Sequence, residues 1–443
     1  MAVEIQTLGV KAQPAVYTMN VWSVTSLGIG SMVGAGIFAL LGQVALCAGH
    51  DTYLAFLVGG IVAGFSGYSY AKLAARYPEA GGIVDYFEQA FGTTVISGTL
   101  SLIYLLTLVV TVAMVAKAFG AYGARLFLNT GAGPWINVLA STVVVLLAIL
   151  NLANSNLVGK AELVMVFLKL LILAVLMIAG LSMPGVQHLT EHIHPSFFNL
   201  VSSAGLTFFA YAGFGMMANA AASVAKPQIT IPRAIYLAIG TVGLLYVGLA
   251  MIVLRSISPA ELVKNADTAV ATAAQPILGR AGFVAVSVAA LLATTSAINA
   301  TLFSTIKISG VMGDSGQLPR LFIRPIWRLA TQGVVLCVGA MLLLIDAFEL
   351  NAIANIASAM FLFTYLAVHV AHWRVSQLTG GSKAVIGIGF LLMAAVLTVF
   401  LWTVSRTQPW SLAIVVIVIA ASAMVSTLIL RSRIGTLKAL VTR

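Results

Sequence analysis

Apolar segments of about 20 residues follow one another along almost the whole chain, and this pattern limits the possible folds more than any other. We place about twelve such spans, centred near residues 30, 62, 110, 143, 170, 210, 245, 292, 337, 361, 393 and 419. Only 8% of the 443 residues are charged, whereas soluble proteins carry about 25%. A β-barrel would show short segments of alternating hydrophobicity instead. The sequence therefore predicts an all-α polytopic membrane protein.

Lysine and arginine are distributed unevenly between the two sides of the predicted bundle. With the N-terminus inside, 16 of the 23 lie in inner segments, five lie in outer segments, and Lys117 and Lys169 lie within spans. Because basic residues favour the cytoplasmic side, both termini are expected there, in the inner (plasma) membrane. The net charge of +11 has the same origin, so it indicates no nucleic-acid partner.

A glycine-rich stretch, GIGSMVGAGIF, interrupts the first span between Gly28 and Phe38. Glycine inside a helix costs about 1 kcal/mol relative to alanine, and four lie here: Gly28, Gly30, Gly34 and Gly36. Small residues of this kind allow close helix packing. They also allow a broken helix, whose bare backbone binds ions or polar groups where it lines a cavity.

A second glycine-interrupted stretch, FFAYAGFG, covers Phe208 to Gly215 and opens the sixth span. Five spans separate the two stretches, so they cross the membrane in opposite directions. This pattern is typical of transporters built from inverted repeats whose broken helices meet at the midplane, and it favours breakage over packing. We therefore predict a first repeat over residues 1–182, a second over 183–372, and two additional helices with a cytoplasmic C-terminus over 373–443.

Lys169 lies near the centre of span five, in VMVFLKLLILAV. A charge at this depth costs at least about 2.5–3.5 kcal/mol and usually marks a functional site. No acidic residue lies at a comparable depth, so carbonyls, hydroxyls or water are its expected partners. Lys169 is thus a candidate proton carrier, and the alternative is a structural lysine that holds the broken helix. Lys117, near the outer end of span three, is expected to extend to the interface.

For other polar and aromatic residues, the sequence does not decide between a role in the site and a role in packing. Four aromatic residues crowd the second break: Phe208, Phe209, Tyr211 and Phe214. Four polar residues lie within span eight: Thr294, Thr295, Ser296 and Asn299. Three acids follow span two and either pair with Lys72 or Arg76 as an inner latch or are solvated: Glu79, Asp85 and Glu88. The outer histidines and the two cysteines match no metal or redox spacing, and we expect no metal and no cofactor: His188, His192, His194, Cys47 and Cys337.

Three motifs together resemble the amino acid–polyamine–organocation superfamily of transporters. They are GSMVGAGIF in span one, YSYAKLAARYPEAGG after span two, and FFAYAGFG followed by KPQITIPRAI around span six. The likeness covers most of spans one to ten. The FLKLLIL context of Lys169 is similar to the lysine-bearing span five of a proton-coupled member with broad amino acid specificity. The resemblance implies the fold of the bacterial leucine transporter, with an amino acid and a proton as partners.

The resemblance also implies site residues. The Lys169 amine would occupy the second sodium site of sodium-coupled relatives, formed by the carbonyls of Gly30 and Val33 and the hydroxyls of Thr295 and Ser296. The amides of one run would bind the substrate carboxylate: Gly34, Ala35 and Gly36. The carbonyls of three residues would bind its amino group, with Phe209 also as an aromatic lid: Met32, Phe209 and Ala212.

Two departures from the family pattern narrow the expected function. Many relatives carry an acid where this chain has Gly215 and a glutamate near Ala222. The absence of these acids argues against substrates with cationic side chains and against an exchange mechanism that relies on the acids. We therefore expect a proton symporter that imports neutral amino acids by alternating access.

Other functions remain as alternatives. One is an uncoupled exchanger with Lys169 as a permanent sodium mimic. A channel or receptor is disfavoured, because a channel needs no central closed site. An enzyme is disfavoured further, since the chain has no HExxH motif and no nucleophile with a nearby histidine and acid.

Overall fold

The structure, a computed structural model, describes residues 19–78, 82–131, 133–153, 156–182, 196–218, 220–326 and 331–441. Within these ranges the regular elements are α-helices and short 3-10 turns, with no β-strand. Ten stretches among them are long and apolar enough to cross a membrane, and Val21–Gly34 and Gln332–Ala347 are shorter apolar helices. Each of the twelve predicted span centres falls within a helix. The predicted all-α polytopic fold is confirmed.

Seven helices make up the first part of the chain. They are α1 (Val21–Ala35), α2 (Ile37–Ala48), α3 (Thr52–Arg76), α4 (Ile83–Phe91), α5 (Val95–Phe127), α6 (Trp135–Ala153) and α7 (Asn156–Ser182). Polar caps begin two of them: the Asn20 side chain accepts the Ser23 amide at 2.9 Å at α1, and Thr94 forms a capping box with Ser97 at α5. Such caps satisfy amides that have no partner within the helix.

Seven helices follow in the second part. They are α8 (Phe197–Tyr211), α9 (Gly215–Ala218), α10 (Pro227–Ser256), α11 (Pro259–Asn265), α12 (Ala269–Asp314), α13 (Gln332–Ala347) and α14 (Leu350–Arg374). The order repeats that of the first part: an interrupted helix, a long helix, a short helix, a very long helix and two further helices. This succession parallels the predicted repeats, whose boundaries and inversion stay predictions. The remaining helices are α15 (Ser376–Thr379), α16 (Lys383–Thr407) and α17 (Pro409–Val441).

The two predicted breaks are narrower than the glycine pattern indicates. The first is a bend at Gly36 alone (φ −83°, ψ −72°), because α1 continues through Gly28, Gly30 and Gly34 to Ala35. The second is a 3-10 turn over Ala212–Phe214 between α8 and α9. A bend and a tight turn leave fewer backbone groups unpaired than an unwound segment would, which suits a site buried among helices.

The interrupted helices lie inside the bundle. Helices α5, α8 and α14 are mostly buried, whereas only a small share of the residues of α7 and α17 is buried. Helix α12 packs against α1, α5 and α7, and α8 packs against α2, α3 and α14. Because exposed apolar surface on a membrane protein faces lipid, α7 lies at the edge of the bundle with only one face turned inward.

Candidate functional site

Lys169 lies on the inward face of α7 and is completely buried. Phe167 and Leu171, two positions away on either side, are exposed, whereas Val166, Leu173 and Leu176 share the buried face. The Lys169 ammonium Nζ donates a hydrogen bond to the Gly30 carbonyl of α1 at 2.7 Å. This contact joins spans five and one. A charge-assisted hydrogen bond is roughly twice as strong as a neutral one, so the strength of the contact depends on whether the amine is protonated.

The absence of a side chain at Gly30 makes this contact possible. A Cβ atom at Gly30 would lie 2.8 Å from Cγ2 of Val166, one turn before Lys169 on α7. Two non-bonded carbon atoms do not approach to this distance. Only glycine therefore lets the two helices come near enough for the lysine to reach the backbone. Gly30 therefore serves both close packing and the lysine contact.

The other predicted partners of Lys169 have mixed placements. Val33 is completely buried on α1, and its role beside the lysine stays a prediction. The Thr295 hydroxyl donates to the Leu291 carbonyl of its own helix at 2.7 Å, which uses its proton. Ser296 is buried, and its Oγ has no hydrogen-bond partner, so it remains available to a ligand or proton.

Nearby polar residues of span eight serve the helix itself or its neighbours. Thr294 donates back to the Ala290 carbonyl at 2.7 Å. Asn299 accepts a hydrogen bond from the Asn151 side chain of α6 at 2.7 Å. These contacts satisfy polar groups within the membrane and favour a structural role for this part of the polar run.

The remaining glycines of span one are sites of close packing. A Cβ atom at Gly28 would meet the sulfur of Met217 at 2.2 Å, and one at Gly34 would meet the Ala293 carbonyl oxygen at 2.6 Å. At Gly36 it would lie 2.6 Å from Cβ of Ala210, on the second interrupted helix. The first break is thus pressed against α8 on one side and α12 on the other.

A cavity of about 40 Å³ lies where spans one and six meet. Its described lining includes six residues that matter here: Ser31, Phe209, Ala212, Gly213, Phe361 and Tyr365. Phe209 and Ala212 thus line this cavity, whereas Met32, Gly34 and Gly36 are not part of its described lining, and the binding roles of all five stay predictions. The volume suits a few water molecules rather than an amino acid, so binding requires the walls to separate.

The carbonyls that the resemblance assigned to the substrate amino group already have partners. The Tyr246 hydroxyl of α10 donates to the Met32 carbonyl at 2.6 Å and lies 3.2 Å from the Ala210 carbonyl. The Tyr365 hydroxyl of α14 donates to the Ala212 carbonyl at 2.7 Å. The Phe209 carbonyl accepts the Ala212 amide. A substrate ammonium would therefore have to displace or share these contacts.

The predicted carboxylate site is equally closed. The Gly36 amide donates to the Met32 carbonyl at 3.0 Å, and Ala35 is the last residue of α1. The Phe209 ring packs edge-on against Phe361, with centroids 5.0 Å apart, as a lid over the cavity would. The roles of Gly34, Ala35 and Gly36 in binding stay predictions.

Comparison with known proteins identifies the family. The model of the amino acid permease family matches residues 19–423. The inner membrane transport protein YbaT of Escherichia coli is 45% identical over 88% of this chain and 92% of its own length. Protein MJ0609 of Methanocaldococcus jannaschii is 31% identical over 87% and 88% of the two chains. The serine/threonine exchanger SteT of Bacillus subtilis is 26% identical over 66% and 67%.

The chain belongs to the amino acid permease family. It is a multi-pass membrane transporter for amino acids rather than an enzyme. In this permease, Tyr365 explains why position 215 carries glycine instead of the acid found in many relatives. A Cβ atom at Gly215 would lie 2.7 Å from the tyrosine hydroxyl. An acid at this position would force Tyr365 off the Ala212 carbonyl. Ala222, at the other departure, is exposed.

Two tyrosines of the permease site were missed by reasoning from the sequence. Tyr246 and Tyr365 lie within apolar spans and are almost completely buried. A phenol hydroxyl at that depth needs a polar partner, and this was the available signal. The partners themselves lie 214 and 153 residues away in the chain, so no local pattern reveals them.

The ends of the permease show one correction and one contact that was not predicted. Glu88 pairs with the Gln317 side chain rather than with Lys72 or Arg76, and Glu79 lies outside the described residues. Lys117 is buried and donates to Asn137, two residues from the start of α6, at 2.6 Å, and its extension to the interface stays a prediction. The outer histidines also lie outside the described residues, within which no group of three or more metal-ligating side chains occurs.

Proposed function

We propose that this permease imports neutral amino acids by proton symport and that Lys169 carries the coupling proton. The buried contact between its Nζ and the Gly30 carbonyl at 2.7 Å is the observation that carries the proposal. A protonated amine holds α7 to α1 by a charge-assisted bond, and a neutral amine holds it less strongly. Proton loss to the inside would thus loosen the contact between a peripheral helix and an interrupted one.

The walls of the central cavity support a neutral substrate. None of the described residues that line it carries a charge, and most are aromatic or small. An unpaired side-chain charge buried there would cost several kcal/mol. The substrate would be bound mainly by its carboxylate and amino groups, as proposed for Gly34, Ala35 and Gly36 and for Met32, Phe209 and Ala212.

Uptake by vesicles reconstituted with the permease tests both parts of the proposal. An inward proton gradient should concentrate a labelled neutral amino acid, and collapse of the gradient by an ionophore should abolish accumulation. In competition, alanine, serine and larger apolar amino acids should inhibit uptake more strongly than arginine, lysine, glutamate or a diamine. Equal inhibition by a diamine, which has no carboxylate, would contradict the assigned carboxylate site.

Because SteT is named a serine/threonine exchanger, amino acid exchange is a second candidate function. In that case Lys169 would stay charged and act as a permanent sodium mimic. Vesicles preloaded with amino acid would then show rapid counterflow but no accumulation driven by the proton gradient. The orientation with both termini in the cytoplasm of the inner membrane belongs to the same proposal and follows from the distribution of lysine and arginine.

A further inference from the structure

A second cavity lies at one end of the bundle, between the end of α3 and the beginning of α10. Its volume is about 300 Å³, and its described lining includes Lys72, Arg76, Pro78, Gln228, Pro232 and Thr379. It shares none of these residues with the central cavity, so it is separate from the transport site. We call it the basic cavity. The proposed orientation places it on the cytoplasmic side.

The charges around the basic cavity favour an anion. Lys72 and Arg76 are four residues apart on α3, so their side chains extend from the same face. Among the described lining residues there is no carboxylate to neutralise them. The first turn of α10 carries no side-chain cap, and Gln228 and Pro232 of its first two turns face the cavity. The positive end of the α10 dipole therefore adds to the two side-chain charges.

The surface beside the basic cavity favours a lipid over a soluble anion. Ile229, next to Gln228 on α10, is 49% exposed, and the stripe continues along the helix through Tyr236, Leu244 and Met251, all exposed. These positions recur at helical spacing and form one apolar face. An acyl chain can lie along this face while its headgroup reaches the basic cavity. Basic pockets between helices on the cytoplasmic side suit anionic headgroups for this reason.

We propose that the basic cavity binds the phosphate of an anionic phospholipid, with an acyl chain along the exposed face of α10. Lys72 and Arg76 pair with the phosphate oxygens. The Thr379 hydroxyl in the same lining already donates to the Ser376 carbonyl at 3.2 Å, so the two basic side chains carry the recognition. The lipid would join α3 to α10, which hold the second position in each half of the chain. It would thereby stabilise the contact between the two predicted repeats at their cytoplasmic end.

Native mass spectrometry of the delipidated permease with added phosphatidylglycerol tests this site. Each basic side chain contributes about fivefold to the affinity for an anionic lipid, so Lys72→Gln with Arg76→Gln should weaken binding by about 30-fold. Arg324→Gln is the matched control, because Arg324 is exposed on the same predicted side of the membrane but does not line the cavity. The thermal midpoint without lipid shows whether each variant is folded.

Three outcomes would overturn the proposal or part of it. Equal binding of phosphatidylglycerol by wild type and the double variant would refute the site. Equal binding of phosphatidylcholine and phosphatidylglycerol by wild type would refute anion selectivity. A third outcome is that inorganic phosphate or glycerol phosphate stabilises the wild type as much as the lipid does at the same concentration, and that this effect requires Lys72 and Arg76. The site would then bind a soluble anion, and the assignment of a lipid would be wrong.

Discussion

The bend in span one and the turn in span six meet at one crossing, and different side chains hold them. Two side chains donate to α1: the Lys169 amine to the Gly30 carbonyl and the Tyr246 hydroxyl to the Met32 carbonyl. At the second break the donor is a phenol, the Tyr365 hydroxyl, which bonds the Ala212 carbonyl. An amine can gain and lose a proton during transport. A tyrosine hydroxyl keeps its proton at neutral pH. Under the proposed function, the contact of Lys169 with α1 is therefore the one that would respond to protons, and the phenol contacts would keep their geometry.

The largest effect is expected where the two breaks touch. A side chain at Gly36 would lie 2.6–2.7 Å from Ala210, and one at Gly213 would lie 2.7 Å from the Met32 amide. Because backbone lies on the other side of both contacts, neither can relax cheaply. Gly36→Val and Gly213→Val should therefore reduce uptake to background. Gly64→Ala, with no atom within 4 Å of the new methyl group, is the matched control and should transport normally.

Removal of the hydroxyl at position 246 should have a smaller effect, mainly on stability. Tyr246→Phe leaves the Met32 carbonyl without its side-chain donor and should lower the free energy of unfolding by about 1–3 kcal/mol. Denaturation in detergent measures this, and Tyr86→Phe is the control because the buried Tyr86 hydroxyl has no hydrogen-bond partner. The pH profile of uptake should keep its shape, and a clear shift in that profile would assign a part in proton coupling to the Tyr246 contact as well.

The smallest effect is expected from sodium. A protonated Lys169 at the Gly30 carbonyl repels Na⁺ from the same oxygens, by several kcal/mol at contact distance even at an effective dielectric of about 20. Uptake should therefore be equal in sodium, potassium and choline media at matched pH. A steep sodium dependence would show that the first break binds a metal ion and that Lys169 does not replace it.

The fold could be predicted almost completely, because span length and polarity are local properties of the sequence. The crossing could be predicted only in part. Glycine marks a position without a side chain, but the sequence does not distinguish Gly36, where the helix bends, from Gly28 and Gly34, where a neighbouring helix packs closely. That distinction depends on Met217 and Ala293, which lie far away in the chain.

Lys169 could be predicted because the signal it gives does not depend on distant residues. Its charge is costly at any position within an apolar span, so its importance is visible without knowledge of its neighbours. Its contact with the Gly30 carbonyl across 139 residues followed from the family resemblance and not from local spacing. Tyr246 and Tyr365 carry no charge, and the same apolar context therefore concealed them.

Proton movement during amino acid entry tests the central claim most directly. Vesicles with a trapped pH-sensitive dye and reconstituted permease should acidify inside when a transported amino acid is added outside, and Lys169→Ala should abolish this acidification while counterflow of labelled amino acid confirms a folded protein. Vesicles with Lys117→Gln, at the other lysine that is buried among the described residues, should acidify like wild type. Acidification by Lys169→Ala at the wild-type rate would contradict the assignment of Lys169 as the coupling residue.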